Sequence, residues 1–408
     1  MKKIVLSSLV ALSIATVASA ADVKFYTDAN GQVYTTAGEG RTEVKAPMPV
    51  KAKTSKLEFS GLHYLGYTYK SSSDLKASDV TANGVTAPTS DLDGVNTGKF
   101  ELRRNYVQVK GYFFEDPKSY ARVTLDVTNV GGYNDVIVKY AYIYLNEVLP
   151  FTGVEFGQAH RPWIDYEEHN GWFYRSISKT FTEAKETADL SNSADLGINF
   201  KTKTDYFTSE IGLFNGEGYH GATESYDNTS TGNTGTGNSL EWRLTAAMMG
   251  NGKAHRHETK DTWFDASFWG QYNMKNASNA KETYKIYGLH TVYNMPSLLL
   301  SAQYIKAEND NKTVYKKNGS GYSANGTVRL GNNYQYEILA RYDHWTAEKD
   351  NFDDLSRDNY IYGVAWKQNK NLKWILNGQT SKNTDHADYS GAVAQDYNAV
   401  MLTAQVEW

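Results

Sequence analysis

Val400-Met401-Leu402-Thr403-Ala404-Gln405-Val406-Glu407-Trp408 alternates without a break. Val400, Leu402, Ala404, Val406 and Trp408 fall on one face of an extended strand. Ala399, Met401, Thr403, Gln405 and Glu407 fall on the other. An apolar face, a polar face and a closing aromatic are what a transmembrane β-barrel needs in a wall strand. One face meets lipid, the other a wet lumen, and the aromatic sits at the membrane–water boundary. A lone alternating strand is weak support, because any half-buried strand alternates. The rest of the chain supplies the weight.

Residues 1–20 read as a secretory leader. Lys2 and Lys3 form a basic start, Ile4 to Val17 a mostly apolar run, and Ala18-Ser19-Ala20 a small-x-small cleavage site, so the mature chain is expected to begin at Ala21. Beyond it no run of about 18 apolar residues could span a membrane as a helix. Cysteine is absent, so stability must come from sheet and packing rather than disulfides. Thirty-one Tyr, 15 Phe and 9 Trp make 13% of the chain aromatic, although only 40% of it is hydrophobic. One apolar side per strand, with aromatic belts at both edges, produces that mixture. The formal charge of −4 gives no basic excess for a nucleic-acid partner.

Helical periodicity is nearly absent. Strand-like alternation recurs, as in Leu240, Trp242, Leu244 and Ala246 against Glu241, Arg243 and Thr245. Sixteen strands are predicted, near 56–70, 99–113, 118–128, 135–145, 151–159, 193–202, 205–215, 239–249, 262–274, 282–294, 297–306, 321–331, 334–345, 357–367, 371–380 and 395–408. Counted from the first, the odd connections are mostly long and rich in Gly, Ser, Thr, Asn and Asp. The even ones, apart from 250–261, are a few residues each. Long loops on one side and tight turns on the other are the asymmetry of an all-β, antiparallel outer-membrane barrel with extracellular loops and periplasmic turns. Residues 21–55 lie outside the barrel count at 56–408; Asp28-Ala29-Asn30-Gly31 reads as a turn, and Pro47 and Pro49 as a linker within a periplasmic segment. The run 228–238 is low-complexity loop.

Sixteen strands enclose a water-filled channel. Function then lies on the lumen wall and in any loop that narrows it. The loop at 160–192 is the longest and holds His160, Arg161, Trp163, Asp165, Glu167, Glu168, Trp172, Phe173, Tyr174 and Arg175. So many aromatics are costly in a solvated loop, and folding inward against the wall would bury them and constrict the pore. Parity puts at least one of Arg103 and Arg104 inward, together with Arg122 and Asp126, Arg243 with Glu241, and Arg341 with Glu337 and Asp343. Such charges set ion preference through the local field. His255-Arg256-His257 reads as an exposed turn rather than a metal site, since no further ligand is spaced around it. Asp91, Asp93 and Gly94 lack the bidentate Glu of a calcium loop. Asp350, Asp353 and Asp354 read as solvated loop. No context sets a nucleophile beside a base, so neither cofactor nor enzymatic activity is expected.

The stretch 100–218 resembles the phosphate-selective porin O/P family and related Gram-negative outer-membrane porins. The residues are Leu102-Arg103-Arg104 leading to Val109-Lys110-Gly111, Ala141-Tyr142-Ile143-Tyr144, Phe156-Gly157-Gln158 with Arg161-Pro162, Arg175 through Phe181, Asp195-Leu196-Gly197, and Leu213-Phe214-Asn215-Gly216-Glu217-Gly218. The resemblance implies a homotrimer of 16-stranded barrels, an inward-folded third loop, and basic lumen residues guiding anions, with Arg103, Arg104 and Arg161 at matching positions. The chain departs at His160-Arg161-Pro162-Trp163, where the family usually runs Lys-Pro-Pro, and in its acid-heavy third loop.

The expected function is a passive diffusion channel for small hydrophilic solutes and ions in the outer membrane. Its partners would be outer-membrane lipids and, through the terminal strand, the barrel-assembly machinery. The alternatives are an anion- or phosphate-preferring porin and a barrel-displayed surface adhesin or antigen.

Overall fold

The computed structural model describes residues 26–30, 32–43, 56–79, 90–130, 133–216, 218–219, 238–273, 284–309, 318–348, 354–383 and 395–408. The leader at 1–20, the Pro47–Pro49 linker and residues 228–237 lie outside them.

The chain divides into two units at Ser55. In the first, Tyr26–Thr27 pairs antiparallel with both Val33–Tyr34 and Thr42–Glu43. Asp28 organises the turn: its Oδ1 accepts from the amides of Asn30 and Gln32 (2.9 and 3.0 Å), and its Oδ2 accepts from the Tyr34 hydroxyl. This is the local side-chain-to-backbone bonding that makes Asp a turn residue.

The second unit is a closed barrel of sixteen antiparallel strands, each bonded to its sequence neighbours. They are β1 (Lys56–Ser72), β2 (Asn96–Tyr112), β3 (Tyr120–Val130), β4 (Tyr133–Leu149), β5 (Thr152–His160), β6 (Ala194–Lys203), β7 (Phe207–Phe214) and β8 (Ser239–Met249), followed by β9 (Trp263–Asn273), β10 (Tyr284–Met295), β11 (Leu298–Asn309), β12 (Gly319–Leu330), β13 (Tyr336–Ala347), β14 (Leu355–Asn369), β15 (Leu372–Asn383) and β16 (Tyr397–Glu407). Each falls within a few residues of its sequence expectation. No described helix is long and apolar enough to cross a membrane.

Closure joins β16 to β1, from Tyr397 opposite Ser72 to Glu407 opposite Leu62. Trp408 extends the ladder: its amide bonds the Gly61 carbonyl (3.1 Å), and its indole N–H donates to His63 Nε2 (2.7 Å). A side chain on Gly61 would collide with that indole, so glycine is needed there. Along β16, Val400 and Leu402 are 55% and 46% exposed, while Met401 and Thr403 are buried. Alternate residues thus point out and in, as the period of two requires.

Two irregularities shape the lumen wall. Opposite β1, Tyr64 pairs with Arg104 and Leu65 with Leu102, leaving Arg103 as an extra residue in β2. Opposite β3, Thr124 pairs with Tyr140 and Leu125 with Val138, leaving Lys139 extra in β4. A bulge adds one residue and breaks strict alternation. Consequently Arg103 and Arg104 both point inward, and so do Lys139 and Tyr140. The β2–β3 ladder is also short: Val107–Gly111 pairs with Ala121–Leu125, although both strands run further. At its end the Asp126 carboxylate accepts from the Asn105 amide (3.3 Å) in place of a strand partner.

Candidate functional site

The long connection 161–193 lies against the lumen side of the wall. It begins with a short helix, α1 (Ile164–Asn170). Its aromatic side chains meet apolar residues on the inward face of the strands, where a wet lumen would otherwise call for polar ones. Trp163, Ile164 and Phe181 pack with Trp269, Ile286, Ile305 and Trp345. Trp172 and Tyr174 pack with Leu339, Ile361, Ile375 and Met401. Trp163 stacks on Trp269 with 4.7 Å between centroids. Trp269 in turn lies over Gly288, where any side chain would displace it. Burying these rings removes a large apolar area from water and holds the segment down.

Polar contacts complete the seat. Tyr166 donates to Asp265 (2.7 Å) and Tyr174 to Glu337 (3.0 Å). Arg103 reaches the Ser176 carbonyl (3.1 Å) while also bonding Thr403, Thr68 and Glu101. Arg341 pairs with Asp343 (2.7 Å), bonds the Lys179 carbonyl (2.8 Å) and lies over the Trp172 ring. Arg161 is buried and grips Glu241 through Nε and Nη2, with Gln271 as a further acceptor. Arg243 pairs with Glu210 (3.1 Å), donates to the Pro162 carbonyl (3.2 Å) and covers Tyr166. Within the segment Arg175 pairs with both Glu168 and Glu183. Arg103, Arg161, Arg175, Arg243 and Arg341 therefore hold the inserted segment and are neutralised in doing so.

The electrostatics of the segment follow from burial and neighbours. Burial alone would raise the Asp165 carboxyl, but His160, His169, Lys201 and Arg122 hold it well below the usual carboxylate range. Glu183 is likewise held low against burial, by Arg175 and Lys179. Glu167 goes the other way. Its burial dominates, Asp343 adds to it, Arg341 offsets it only partly, and the carboxyl is pushed up to about 7. One of its oxygens is buried without a hydrogen bond.

The wall built by β2–β4 is different in kind. Arg104 pairs with Asp126 (2.9 Å). Arg122 donates to Thr124 (3.0 Å), to the Tyr142 hydroxyl (3.2 Å) and to His160 Nε2 (3.2 Å), and lies over the Tyr140 ring at 4.7 Å. Lys139 donates to the Tyr106 hydroxyl (2.9 Å), and Lys110 sits over the Tyr120 ring at 4.9 Å. His160 stands between Glu155 (3.4 Å) and Asp165 (3.6 Å). Among the described residues, Arg122, Lys139 and Lys110 form no ion pair with a carboxylate. Several cations elsewhere on the wall do: Lys201 with Glu155 and Glu210, Arg329 with Glu258, and Lys367 with Glu258 and Glu337.

Sequence reasoning singled out Arg122 but passed over Lys139 and the tyrosines at 106, 120, 140, 142 and 144 as parts of the wall. The period-two run Tyr140, Tyr142, Tyr144 was the available signal. Attributing tyrosine to lipid-facing belts hid it, and the Lys139 bulge is not readable from alternation. His255-Arg256-His257 sits in the turn 250–262, with Arg256 directed at Asp265.

No protein-family profile and no curated protein matches the chain. Solved structures do. A Comamonas acidovorans porin described as anion-selective superimposes with TM-score 0.58 at 12% identity, covering 87% of this chain and 100% of its own. Outer-membrane expressed OmpT of Vibrio cholerae gives 0.52 at 12% identity, over 88% of this chain and 99% of that one. OmpF of Salmonella typhi, in complex with daunomycin, gives 0.52 at 15% identity, over 86% and 97%. At such identities the likeness is one of architecture, and the chain has the 16-stranded barrel fold of outer-membrane porins.

Proposed function

We propose that this chain is a passive diffusion channel of the bacterial outer membrane for small hydrophilic solutes and ions, with a preference for anions. The observation that carries the preference is the trio Lys110, Arg122 and Lys139. These cations stand on one stretch of inner wall without an ion-paired carboxylate, Lys110 and Arg122 half-buried and Lys139 buried behind them, whereas Lys201, Arg329 and Lys367 elsewhere on the wall are each paired. Fixed unpaired charge on a narrow wall concentrates counter-ions and sets selectivity through the local field. The inserted segment 161–193 supplies the constriction that forces permeating ions past this wall. The anion-selective description of the Comamonas acidovorans neighbour supports the same reading. The Vibrio cholerae OmpT trimer form supports a homotrimer. Outer-membrane lipids meet the outward row Val400, Leu402, Ala404, Val406 and Trp408, and barrel-assembly machinery reads that strand.

Planar-bilayer recording tests both levels. Stepwise conductance is expected, with a zero-current potential in a KCl gradient of the sign that marks chloride as the more permeant ion. An absence of steps rejects the channel. A potential of the opposite sign rejects the anion preference and leaves the channel.

A further inference from the structure

The unpaired cations do not stand alone. Around them, at the short-turn end of β2, β3 and β4, the tyrosine rings are contiguous. Tyr112 and Tyr120 are 5.5 Å apart between centroids, Tyr120 and Tyr144 5.2 Å, and Tyr120 and Tyr142 6.2 Å. The Lys110 ammonium lies 4.9 Å from the Tyr120 centroid, and the Arg122 guanidinium 5.7 Å from that of Tyr142. Tyr142 is buried, but Lys110, Tyr112, Tyr120, Arg122 and Tyr144 are only half-buried. This part of the wall therefore offers π surface beside donors that no carboxylate occupies.

The geometry points to a binding site for aromatic carboxylates on this wall, a flat ring against Tyr120 and Tyr144 with its carboxylate on Lys110 and Arg122. This inference rests on the anion-channel function proposed above. An inorganic anion would need the cations but gives no use for the rings. A neutral sugar stacks on rings but needs acceptors for its hydroxyl protons, and the nearby acids are already engaged. Glu58 is held by Lys56 and the Tyr112 hydroxyl and Glu155 by Lys201 and His160, while Asp165 has the His169 ring beside it at 3.5 Å. A ring bearing an anionic group satisfies both features. It lies on the lumen side of Tyr120 and Tyr144, because rings 5.2 Å apart leave no room for another between them. Offset stacking and a charge-assisted hydrogen bond together give weak, saturable binding, which a conducting channel requires if the solute is also to leave.

The test is the chloride current through the full-length protein in bilayers, with sodium benzoate or sodium acetate added to both chambers. Benzoate is expected to reduce the current saturably, and acetate at equal concentration to leave it nearly unchanged. Tyr120→Leu with Tyr144→Leu should weaken the benzoate effect about 5-fold or more with the KCl zero-current potential unchanged, as expected for loss of one aromatic contact. Tyr120→Phe with Tyr144→Phe, which keeps the rings, should preserve it and shows that the leucine variant fails for want of π surface. Lys110→Gln should lower both benzoate block and anion preference. Equal behaviour of benzoate and acetate, or block that survives the leucine variant, overturns the site. A cation-selective wild type that benzoate still blocks would sustain the site and reject the anion preference, so the two ideas fail separately.

Discussion

The indole of Trp163 lies on the indole of Trp269 with 4° between their planes and 4.7 Å between centroids. One ring belongs to the inserted segment and the other to β9, so this stack fastens the segment to the wall. Removing a buried tryptophan costs about 3–5 kcal/mol. Trp163→Ala should loosen the segment without opening the barrel. The expected result is a larger and noisier single-channel conductance with unchanged β-sheet circular dichroism. Gly288→Val should do the same by pushing Trp269 off its place. Wild-type conductance in both variants would separate the stack from the size of the pore.

Glu167 makes the seating pH-dependent. Its carboxyl is raised from an ordinary value of roughly 4 to about 7 in the folded chain. The folded state therefore holds a proton that the released segment gives up. Its stabilising contribution is complete below roughly 4 and declines as pH rises to about 7. The hydrogen-exchange protection factors of 164–170, with the intrinsic pH dependence of exchange divided out, should fall across that window and level off above it. Glu167→Gln, which cannot ionise, should remove the dependence. Wild-type protection factors that are flat from pH 4 to 8 would contradict the burial of this group.

Arg161 and Glu241 are both buried and held by several short bonds. Replacing one partner leaves the other charged and unmatched, a loss of about 3–5 kcal/mol. Glu241→Gln should lower the unfolding midpoint of the detergent-solubilised barrel markedly. Arg161→Met together with Glu241→Leu should recover most of it. If the double variant is no better than the single one, the cost lies in lost packing rather than in a stranded charge.

Asp126 has two duties: it neutralises Arg104 and accepts the Asn105 amide where the β2–β3 ladder stops. Asp126→Asn keeps an acceptor for the amide but frees the guanidinium. Chloride preference should rise, by a factor of about 2 or more if the freed charge adds to the lumen field. Arg104→Gln should lower it, because it leaves the Asp126 carboxylate without its counter-charge. Zero-current potentials measured side by side decide the matter.

Trp408 ties the terminal strand to β1 through His63 and packs over Gly61. Trp408→Ala removes that donor and the ring that shields the closing ladder. Assembly yield should fall several-fold while the protein that does assemble conducts normally. Full yield from the alanine variant would show that the β16–β1 backbone ladder suffices.

The strands, their antiparallel order and the asymmetry of their connections were written in the sequence. Alternation with period two and the turn-rich gaps between strands are local properties, and a closed wall needs nothing more. The burial of the 161–193 segment was legible in part, because so many aromatics in one long connection require cover somewhere. What stayed hidden is where periodicity is broken or borrowed. The bulges at Arg103 and Lys139 turn neighbouring residues to the same side, and no residue type announces that. Ile286, Ile305, Leu339 and Ile361 face inward by the alternation of their strands, and loop rings cover them there, a pairing between segments more than a hundred residues apart.

The amino-acid pattern by itself determined a barrel with an apolar outside, since the face of a strand follows from its own residues. Which cations are neutralised by a carboxylate, and which are not, was decided only by tertiary structure. Arg161 and Arg122 look alike in the sequence, yet the fold brings Glu241 to one and tyrosine rings to the other. Charge compensation depends on distance through space, and that distance exists only once the sheet has closed and the inserted segment has settled against it.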